Sequence, residues 1–313
     1  MIYYHREPSP NDRPDLPTQT PPLFLPMGGS FYSPEVVFLR FDAVWSWWYG
    51  LGMEYFDHPG INHSTLKAFA KGAAHVKHQI EVGTVETEAM RLGTLAHLHV
   101  LEPELVDDTV VIAPEINRRT KVGKEKWAAF QKASEGKIVA TKDQDATARS
   151  IAKAVREHPA VQPLMADDNY DAEVECFWVD EFFGIECKAK IDGLRDGGMI
   201  FDLKTTIDAS PSSFNRAIFN MHYHTQAAWY MHGLARSGIG IMPAGFTFIA
   251  VEKTAPFEVS VIRMTPEALK IGSRLVHSWL SDYYNRCKSN DWVSHPHVLD
   301  VEIPGWIKHK EEL

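Results

Sequence analysis

The chain has 313 residues, of which 44% are hydrophobic and 23% charged, and its formal net charge is −9. This composition is ordinary for a globular protein, and the length allows either one large domain or two smaller ones. The negative charge argues against a protein that coats nucleic acid without specificity. It does not exclude a nuclease, because a metal–carboxylate site needs local negative charge.

The N-terminus and the cysteines predict a cytoplasmic protein. The first eight residues contain no basic region followed by an apolar block, as a secretory signal would. The apolar runs elsewhere are short and interrupted by charge, so we predict no membrane span. Cys176, Cys187 and Cys287 form no C-x-x-C pair, which indicates reduced thiols and neither a disulfide framework nor a zinc site.

The N-terminal region differs in composition from the rest of the chain. Residues 1–35 contain eight prolines, a density that prevents helix and favours extended or irregular chain. Residues 36–55 are rich in aromatic and aliphatic side chains, which pack in a core or a subunit contact more often than they stack on DNA. We therefore predict an arm over residues 1–60, extended or packed on the core, one domain over residues 61–290, and a C-terminal tail over residues 291–313.

Two amphipathic patterns follow the arm. Ser64 stands before a run with apolar residues on one face, so we predict that it caps a first helix. A second helix is predicted over residues 87–101, ending before Pro103. It carries His97 and His99, which lie about 200° apart on a helix and therefore cannot bind the same metal ion. One of the two histidines can be functional while the other is structural.

A basic segment precedes the middle of the chain. Five cations fall within nine residues: Arg118, Arg119, Lys121, Lys124 and Lys126. Such a cluster can contact DNA phosphates, and a solvated loop that leads into a helix explains it equally well. A polar helix is then predicted over residues 142–157, and the alternation in residues 170–194 indicates β-structure with a turn near Asp180 or Gly184.

The sequence Arg-Asp-Gly-Gly that begins at Arg195 is a strong hairpin signal between two further strands. A three-residue loop after Arg195 places it opposite Met199, and counting back then places Asp192 opposite Asp202 on one face of the sheet. A two-residue turn would shift the register and put the two carboxylates on opposite faces. Both arrangements are compatible with the sequence.

Asp202 and Lys204 point to the same side of their strand, because residues two apart in a strand do so, and the hairpin register sets Lys190 opposite Lys204. Two adjacent carboxylates repel each other and are best explained by a divalent cation between them, and oxygen ligands favour Mg²⁺ or Mn²⁺. The alternative is a surface hairpin with cross-strand ion pairs. The apolar neighbours of Asp202 count against it, because an unpaired polar group in an apolar strand costs free energy.

A later helix supplies two further polar groups. Gln226 and Tyr230 are i and i+4 neighbours on it, and an amide with a phenol on one helix face can bind a phosphate, a base edge or a lysine. Two strands within residues 244–262 and a C-terminal helix from Thr265 to about residue 288 complete an α/β pattern.

Together these motifs resemble a known family. The chain from about residue 61 to residue 284 resembles the RecE-type exonuclease domain (exodeoxyribonuclease VIII-like), in the RecB-like branch of the PD-(D/E)XK nucleases. The resemblance rests on an ordered set of motifs: Ser64-Thr-Leu-Lys67, Gly93-Thr-Leu-Ala-His97, Leu101-Glu-Pro103, Lys190-x-Asp192, Asp202-Leu-Lys204-Thr-Thr206 and Gln226-x-x-x-Tyr230. It implies an α/β (α+β) fold in which helices flank a central mixed β-sheet.

The resemblance also implies roles for individual residues. The metal ion would be bound by His97, Asp192 and Asp202, with Glu175 as an additional acidic residue. Lys204 would be the catalytic lysine, and the catalytic pocket would be completed by Asp192, Asp202, Gln226 and Tyr230. Many relatives have arginine where this chain has Lys190. The DNA contacts that we predict are Lys190, Arg118, Arg119, Lys121 and Lys124.

By the same resemblance, we expect a Mg²⁺-dependent and ATP-independent exonuclease, in which Mn²⁺ substitutes, that degrades linear double-stranded DNA in phage-type recombination or repair. The expected setting is a bacterial or phage-infected cell, with a homo-oligomeric ring and a RecT-like single-strand annealing protein as partner. The cysteines do not match the four-cysteine arrangement of some relatives, so no iron–sulfur cluster is expected. The alternatives are a structure-specific endonuclease and a non-catalytic DNA-end-binding module on the same fold.

Overall fold

The computed structural model describes residues 55–165, 170–295, 298, 300, 302 and 303. All of them belong to the second of the two units into which the chain divides, Met53–Leu313. The predicted arm, apart from residues 55–60, therefore lies outside the described residues, as does the end of the predicted tail. No helix among the described residues is long and apolar enough to cross a membrane.

Helices lie before the large sheet and on both of its flanks. In chain order, those of the described residues are α1 (His63–Lys67), α2 (Ala73–Val82), α3 (Glu88–Leu101), α4 (Val106–Thr109), α5 (Lys121–Ala133), α6 (Lys142–Glu157), α7 (Gln162–Met165), α8 (Pro211–Asn220), α9 (Tyr223–Arg236) and α10 (Pro266–Ser289). Two 3₁₀ turns, Ala68–Ala70 and Pro103–Leu105, follow α1 and α3. The helices predicted over 87–101 and 142–157 correspond to α3 and α6.

The strands form two sheets. They are β1 (Val110–Ile112), β2 (Ile138–Ala140), β3 (Tyr170–Val179), β4 (Glu186–Arg195), β5 (Met199–Thr206), β6 (Gly245–Glu252) and β7 (Val259–Arg263). The larger sheet has the order β3-β4-β5-β6-β7. Its β5 and β6 are parallel and its other neighbours antiparallel, so the central sheet is mixed, as predicted. The smaller sheet pairs β1 with β2 in parallel.

Polar caps fix where the first long helices begin. The Thr87 hydroxyl accepts the Met90 N–H at 3.2 Å, which satisfies one of the donors that the first turn of α3 leaves unpaired. The prediction that Ser64 caps the first helix is wrong. The side-chain oxygen of Asn62 accepts the Thr65 N–H at 2.9 Å, so Asn62, two residues earlier, is the N-cap.

One face of the larger sheet is covered by α3 and α6. Apolar side chains of the two helices and of β5 and β6 share one core: Ala96, Val100, Ile151, Val155, Phe201, Leu203, Ile249 and Val251. The smaller sheet joins this layer, because Ala140 of β2 packs with Leu95 of α3 and Ala148 of α6. Burial of these side chains fixes α3 against the sheet, and α3 carries both histidines of the sequence motif.

The other face is covered by α8 and α9, and α10 packs on α9. Trp229 of α9 packs on Trp178 of β3, with ring centroids 4.7 Å apart, and its indole N–H donates to the Lys188 carbonyl at 3.0 Å. A Cβ at Gly272 of α10 would lie 2.1 Å from the His224 carbonyl oxygen. Glycine therefore allows the backbones of α9 and α10 to touch, which fixes α9 under the sheet.

The segment before α1 extends the sheet at β4. Ile61 forms a parallel bridge with Cys187, and the Lys188 N–H donates to the Ile61 carbonyl at 2.9 Å. The Lys188 ammonium donates to the carbonyls of Tyr55 and His58, at 2.8 Å and 2.7 Å. Residues 55–61 are thus held against the first residues of β4.

Candidate active site

The candidate site forms where the β4–β5 hairpin meets α3. Arg195 pairs with Met199 and Gly193 with Phe201, which is the register predicted from a three-residue loop. Only glycine fits at 193, because a Cβ there would lie 2.1 Å from the Phe201 ring. In this register Asp192 and Asp202 are the next pair along the two strands, so the hairpin brings both carboxylates to one place.

The backbone pairing stops at this pair because the Asp192 side chain replaces it. The Leu203 N–H donates to Asp192 Oδ2 at 2.9 Å, and the Leu203 carbonyl accepts from His97 Nε2 at 2.8 Å. One residue of β5 therefore positions two functional side chains. A carbonyl can only accept a hydrogen bond, so Nε2 carries the proton of the neutral imidazole and Nδ1 has a free lone pair.

His97 Nδ1 faces Asp192 Oδ2 at 3.4 Å. Burial, followed by the positive charge of Lys204, lowers the pKa of His97, so the ring is neutral at physiological pH. Burial raises the pKa of Asp192 to about 6, which still leaves it largely ionised at neutral pH. A neutral nitrogen lone pair and a carboxylate oxygen then face each other without a hydrogen between them, an arrangement that a cation resolves.

A third acidic side chain completes this cluster. Ligand atoms of His97, Glu173 and Asp192 all lie within 4.8 Å of one another. One imidazole nitrogen and two carboxylates are a donor set that suits Mg²⁺ or Mn²⁺. We call these three residues the cation cluster. They fit the divalent ion that the sequence motif implies.

Glu173 was not predicted, and Glu175 was named in its place. The β3–β4 register pairs Val174 with Ile191 and Glu175 with Lys190, which leaves Glu173 opposite Asp192. Glu173 has a φ of 54°, a left-handed conformation that is strained for glutamate and is often found where function requires it. Among the described residues, the acid that β3 contributes to the cation cluster is thus Glu173, whereas Glu175 pairs with Lys190.

Lys190 does not lie opposite Lys204 as predicted, and its neighbours are acids of β3. Its ammonium lies 3.0 Å from Glu173 Oε2, so it contacts the cation cluster from β3. The strand pairing that would have set it opposite Lys204 ends at Gly193, because the Asp192 side chain takes the next position in the ladder. Lys190 therefore belongs to the rim of the site.

Asp202 is fully buried beside the cation cluster. Its Oδ1 accepts from Gln226 Nε2 at 2.9 Å, and its Oδ2 forms an ion pair with the Lys204 ammonium. Burial, and then the charge of Asp192, raise the pKa of Asp202 to about 7. The two carboxylates of the hairpin thus repel each other, which is the electrostatic condition that favours binding of a divalent ion.

Lys204 stays positively charged in this setting. Burial alone lowers the pKa of its ammonium, but the neighbouring Asp202 and Asp192 carboxylates outweigh burial and raise that pKa above its ordinary value. The ammonium also lies 5.2 Å from the centroid of the Tyr223 ring, a cation–π distance. The site therefore holds a fixed positive charge next to the cation cluster.

Gln226 and Tyr230 form the wall of the site on α9. Gln226 Nε2 donates to the Tyr230 hydroxyl at 2.9 Å as well as to Asp202. Burial and the charges of Asp192 and Asp202 raise the pKa of Tyr230 well above its ordinary value. Tyr230 therefore keeps its proton, and its hydroxyl can donate to a further acceptor.

His99 has a different role from His97. Its Nε2 lies 3.0 Å from Asp145 Oδ1 of α6, and its side chain is buried. This contact ties α3 to α6 on the side away from the cation cluster. The two histidines thus separate as the spacing predicts, with one at the site and the other in the helix packing.

The basic segment lies on the loop before α5 and on the first turns of that helix. Arg118, Arg119, Lys121, Lys124 and Lys126 are all exposed. The guanidinium carbon of Arg118 lies 3.4 Å from the centroid of the Trp127 ring. Among the described residues, none of these five cations forms an ion pair with a carboxylate.

Comparison with known proteins agrees with this geometry. Residues 62–296 match the family described as a PDDEXK-like domain of unknown function, DUF3799. No curated protein matches the chain. A crystal structure of a protein from Eubacterium rectale, named as a candidate exonuclease, aligns with a TM-score of 0.51 and 15% identity over 78% of this chain and 91% of that chain.

A second solved structure, that of SSO0001, aligns over 63% of this chain and 86% of that chain with 12% identity, and its TM-score of 0.29 is too low to indicate a shared fold. The family match spans the helix with His97, the hairpin with Asp192 and Asp202, and the helix with Gln226. The chain belongs to this PDDEXK-like family, and its central mixed sheet flanked by helices is the PD-(D/E)XK nuclease fold.

Proposed function

We propose that the protein is a Mg²⁺-dependent, ATP-independent exonuclease that hydrolyses phosphodiester bonds of linear double-stranded DNA. One observation carries this proposal: a buried ion pair, Asp202 with Lys204, stands beside a cation cluster of three ligating side chains. The family membership and the name of the Eubacterium rectale protein as a candidate exonuclease support nuclease chemistry.

A Mg²⁺ ion bound at this site would polarise a phosphate oxygen and lower the pKa of an attacking water. His97, Glu173 and Asp192 are the residues that would hold it, and we expect Mn²⁺ to substitute because the same donors suit both ions. We assign Asp202 as a further ligand, as the resemblance implies, because the hairpin register places it beside Asp192. A carboxylate that accepts hydrogen bonds still has lone pairs for a metal ion.

Lys204 would stabilise the negative charge that grows on the phosphate in the transition state, because its ammonium is fixed and desolvated. Its raised pKa makes it a poor proton acceptor, so we assign it electrostatic stabilisation and not general-base catalysis. Gln226 holds the Asp202 carboxylate in place. The Tyr230 hydroxyl, which keeps its proton, would donate to a phosphate oxygen.

The basic segment supports a DNA substrate. Its exposed cations have no carboxylate partner among the described residues. They make this part of the surface basic, although the net charge of the chain is −9. The unit formed by β1, α5 and β2 packs on Leu95 and Ala148, so it is attached to the helix that carries His97. We assign to Arg118, Arg119, Lys121 and Lys124 contacts with the duplex phosphates, and to Lys190 contact with the strand end.

The biological setting extends the proposal. A role in phage-type recombination or repair, a homo-oligomeric ring and a single-strand annealing partner follow from the resemblance to RecE-type exonucleases. They are consistent with an enzyme that acts on double-strand ends. A ring would give the processivity that a single open site does not supply.

The most direct test compares linear and circular DNA. The proposal predicts nucleotide release from linear duplex DNA with Mg²⁺ and without ATP, and no attack on covalently closed circles of the same sequence. Asp202→Ala and Lys204→Ala should abolish the release, because each removes one half of the buried ion pair. Unchanged release by either variant would reject the assignment of the site.

The same experiment separates the alternatives. Cleavage of supercoiled or circular single-stranded DNA would favour a structure-specific endonuclease. Binding to DNA ends without metal, together with no cleavage in Mg²⁺ or Mn²⁺, would favour a non-catalytic end-binding module. The cation cluster speaks against that module, because end binding alone does not need three ligating side chains and a buried lysine in one place.

A further inference from the structure

An exposed aromatic ring stands at the edge of the candidate site. The side chain of Phe56 is 80% exposed, the largest exposure of any phenylalanine among the described residues. An exposed phenyl ring of this size forgoes the stabilisation that burial would give. A largely exposed ring at the rim of a binding site is a candidate contact for a ligand with an apolar face.

The exposure of Phe56 is not the result of a frayed segment. The carbonyl before it, that of Tyr55, and the carbonyl two residues after it, that of His58, both accept hydrogen bonds from the Lys188 ammonium. The Tyr55 ring packs edge-on against Phe56, with centroids 5.4 Å apart and planes at 86°. The backbone is therefore held on both sides of a ring that faces solvent.

The ring lies close to the cation cluster. The Lys190 ammonium is 5.9 Å from the centroid of the Phe56 ring and 3.0 Å from Glu173 Oε2. The head group of one side chain thus spans the gap between the exposed ring and an acid of the cluster. A nucleotide whose phosphate lies at the cluster would bring its base into the same neighbourhood, because one sugar joins the two.

We propose that Phe56 is a stacking platform for the terminal nucleobase of the DNA strand whose phosphate is held at the cation cluster. This inference rests on the proposed nuclease function and adds a base-binding subsite to it. Aromatic rings bind bases of any sequence, because every base has a π-face. The subsite would therefore position the strand end without selecting a sequence, and the cationic Lys190 beside it would attract the phosphate backbone.

Fluorescence of a terminal base analogue tests the proposal. Linear duplexes with 2-aminopurine at the 5′ end or at the 3′ end are bound to the full chain, with Ca²⁺ in place of Mg²⁺ to limit cleavage. Stacking on Phe56 should change the emission for one of the two ends. Phe56→Ala should remove that change and raise KM for linear DNA about tenfold, the typical effect of one base–aromatic stack, whereas Phe56→Trp should retain both properties.

Phe182→Ala is the matched control. Phe182 is 69% exposed but lies in the turn between β3 and β4, at the far end of β4 from Asp192, roughly 20 Å away along the strand. Phe182→Ala should therefore leave the emission of the base analogue and the KM for linear DNA unchanged. Because Phe56 is exposed, its substitution should also leave the melting temperature unchanged.

Three results distinguish this inference from the proposed function. Equal emission and equal KM for Phe56→Ala and wild type would overturn the stacking role and leave the nuclease assignment intact. A change in sedimentation mass for Phe56→Ala without a change in emission would make the ring a contact between copies of the chain, and would also overturn it. Failure of the wild-type protein to degrade linear DNA in Mg²⁺ would reject the proposed function itself.

Discussion

The two histidines of α3 have the same kind of partner and opposite surroundings. His99 lies 3.0 Å from Asp145 in a buried contact between α3 and α6, where Arg149 also donates to that carboxylate at 2.8 Å. His97 lies 3.4 Å from Asp192, but its protonated nitrogen is already used by the Leu203 carbonyl. The Asp145 carboxylate accepts hydrogen bonds from both His99 and Arg149. In the other pair, His97 Nδ1 and Asp192 Oδ2 are both acceptors, and they face each other without a hydrogen between them.

This difference indicates which histidine is functional. A histidine–carboxylate pair whose hydrogen bonds are complete stabilises the packing of two helices and needs no ligand. A pair whose two acceptor atoms face each other without a hydrogen between them, with a second carboxylate nearby, is stabilised by a proton or a metal ion that joins them. The hydrogen bonds of the two side chains thus differ, although the two histidines are only two residues apart in the chain.

The largest expected effect is on activity. Asp192→Asn removes a charge from the cation cluster and should lower kcat by about a thousandfold, as loss of a central electrostatic contact does. Asp145→Asn should leave kcat within about threefold, because it alters only helix packing. Nucleotide release from linear duplex DNA in Mg²⁺ measures both. Equal losses in the two variants would erase the distinction between the pairs.

Metal affinity should separate the two histidines. His97→Ala should weaken Mn²⁺ binding about a hundredfold, because it removes a direct ligand, whereas His99→Ala should leave the dissociation constant unchanged. His99→Ala should instead lower the free energy of unfolding by about 1–3 kcal/mol, because it leaves the buried Asp145 contact unmade. Calorimetric titration and thermal melts give the two readings. Weaker metal binding in His99→Ala would count against the assignment.

The two carboxylates should respond to pH with opposite signs in the metal-free protein. Burial raises the pKa of Asp192 to about 6, so the folded chain keeps a proton that the unfolded chain releases near pH 4. Ionisation of Asp192 therefore lowers the free energy of unfolding progressively between about pH 4 and pH 6, and this loss stays constant above pH 6. Burial also acts on Asp145, but hydrogen bonds from Arg149 and His99 outweigh it and lower its pKa. The stability that Asp145 contributes is therefore fully present above its ordinary pKa, and it is lost as pH falls through the lowered pKa of the folded state.

Substitution of each aspartate by asparagine tests the sign of its contribution to stability. At pH 8 in EDTA, Asp192→Asn should raise the free energy of unfolding by about 2 kcal/mol, because the amide still accepts the Leu203 N–H without a buried charge. Asp145→Asn should lower it. Urea denaturation at pH 5 and pH 8 measures both effects, and the gain from Asp192→Asn should shrink at pH 5. A loss of stability for both variants at pH 8 would contradict the account.

The smallest expected effect concerns the neighbouring acids of β3. Glu173→Gln should weaken Mn²⁺ binding about tenfold, because it removes one ligand charge from the cation cluster. Glu175→Gln should change the affinity less than about twofold, because its strand partner is Lys190. Calorimetric titration resolves the two. The reverse order would restore Glu175 as the metal-binding acid.

The sequence predicted the parts of the site that local rules control. The Asp-Gly-Gly turn after Arg195 predicted the hairpin but left two registers open, and the structure has the one that a three-residue loop gives, with Arg195 opposite Met199. The helices predicted over residues 87–101 and 142–157 are α3 and α6, and the structure adds that the Thr87 and Thr141 side chains cap them. The mixed sheet with flanking helices came from the resemblance to a family and not from periodicity.

The remaining parts depend on longer-range geometry. The β3–β4 register follows from a turn that the sequence left open between Asp180 and Gly184, so Glu173 and Glu175 could not be told apart. The choice between His97 and His99 depends on which side of α3 meets β5. The positive φ of Glu173 and the exposure of Phe56 depend on contacts made by distant residues, and no local pattern signals them.

The position of a bound metal ion would show directly which histidine is functional. Crystals of the full chain soaked in Mn²⁺ would show the metal by its anomalous scattering. We expect a peak bound by His97 Nδ1 and by carboxylate oxygens of Glu173 and Asp192, at about 2.0–2.6 Å from each. A peak between His99 and Asp145, or an ordered Mn²⁺ that contacts none of the three residues of the cation cluster, would contradict it.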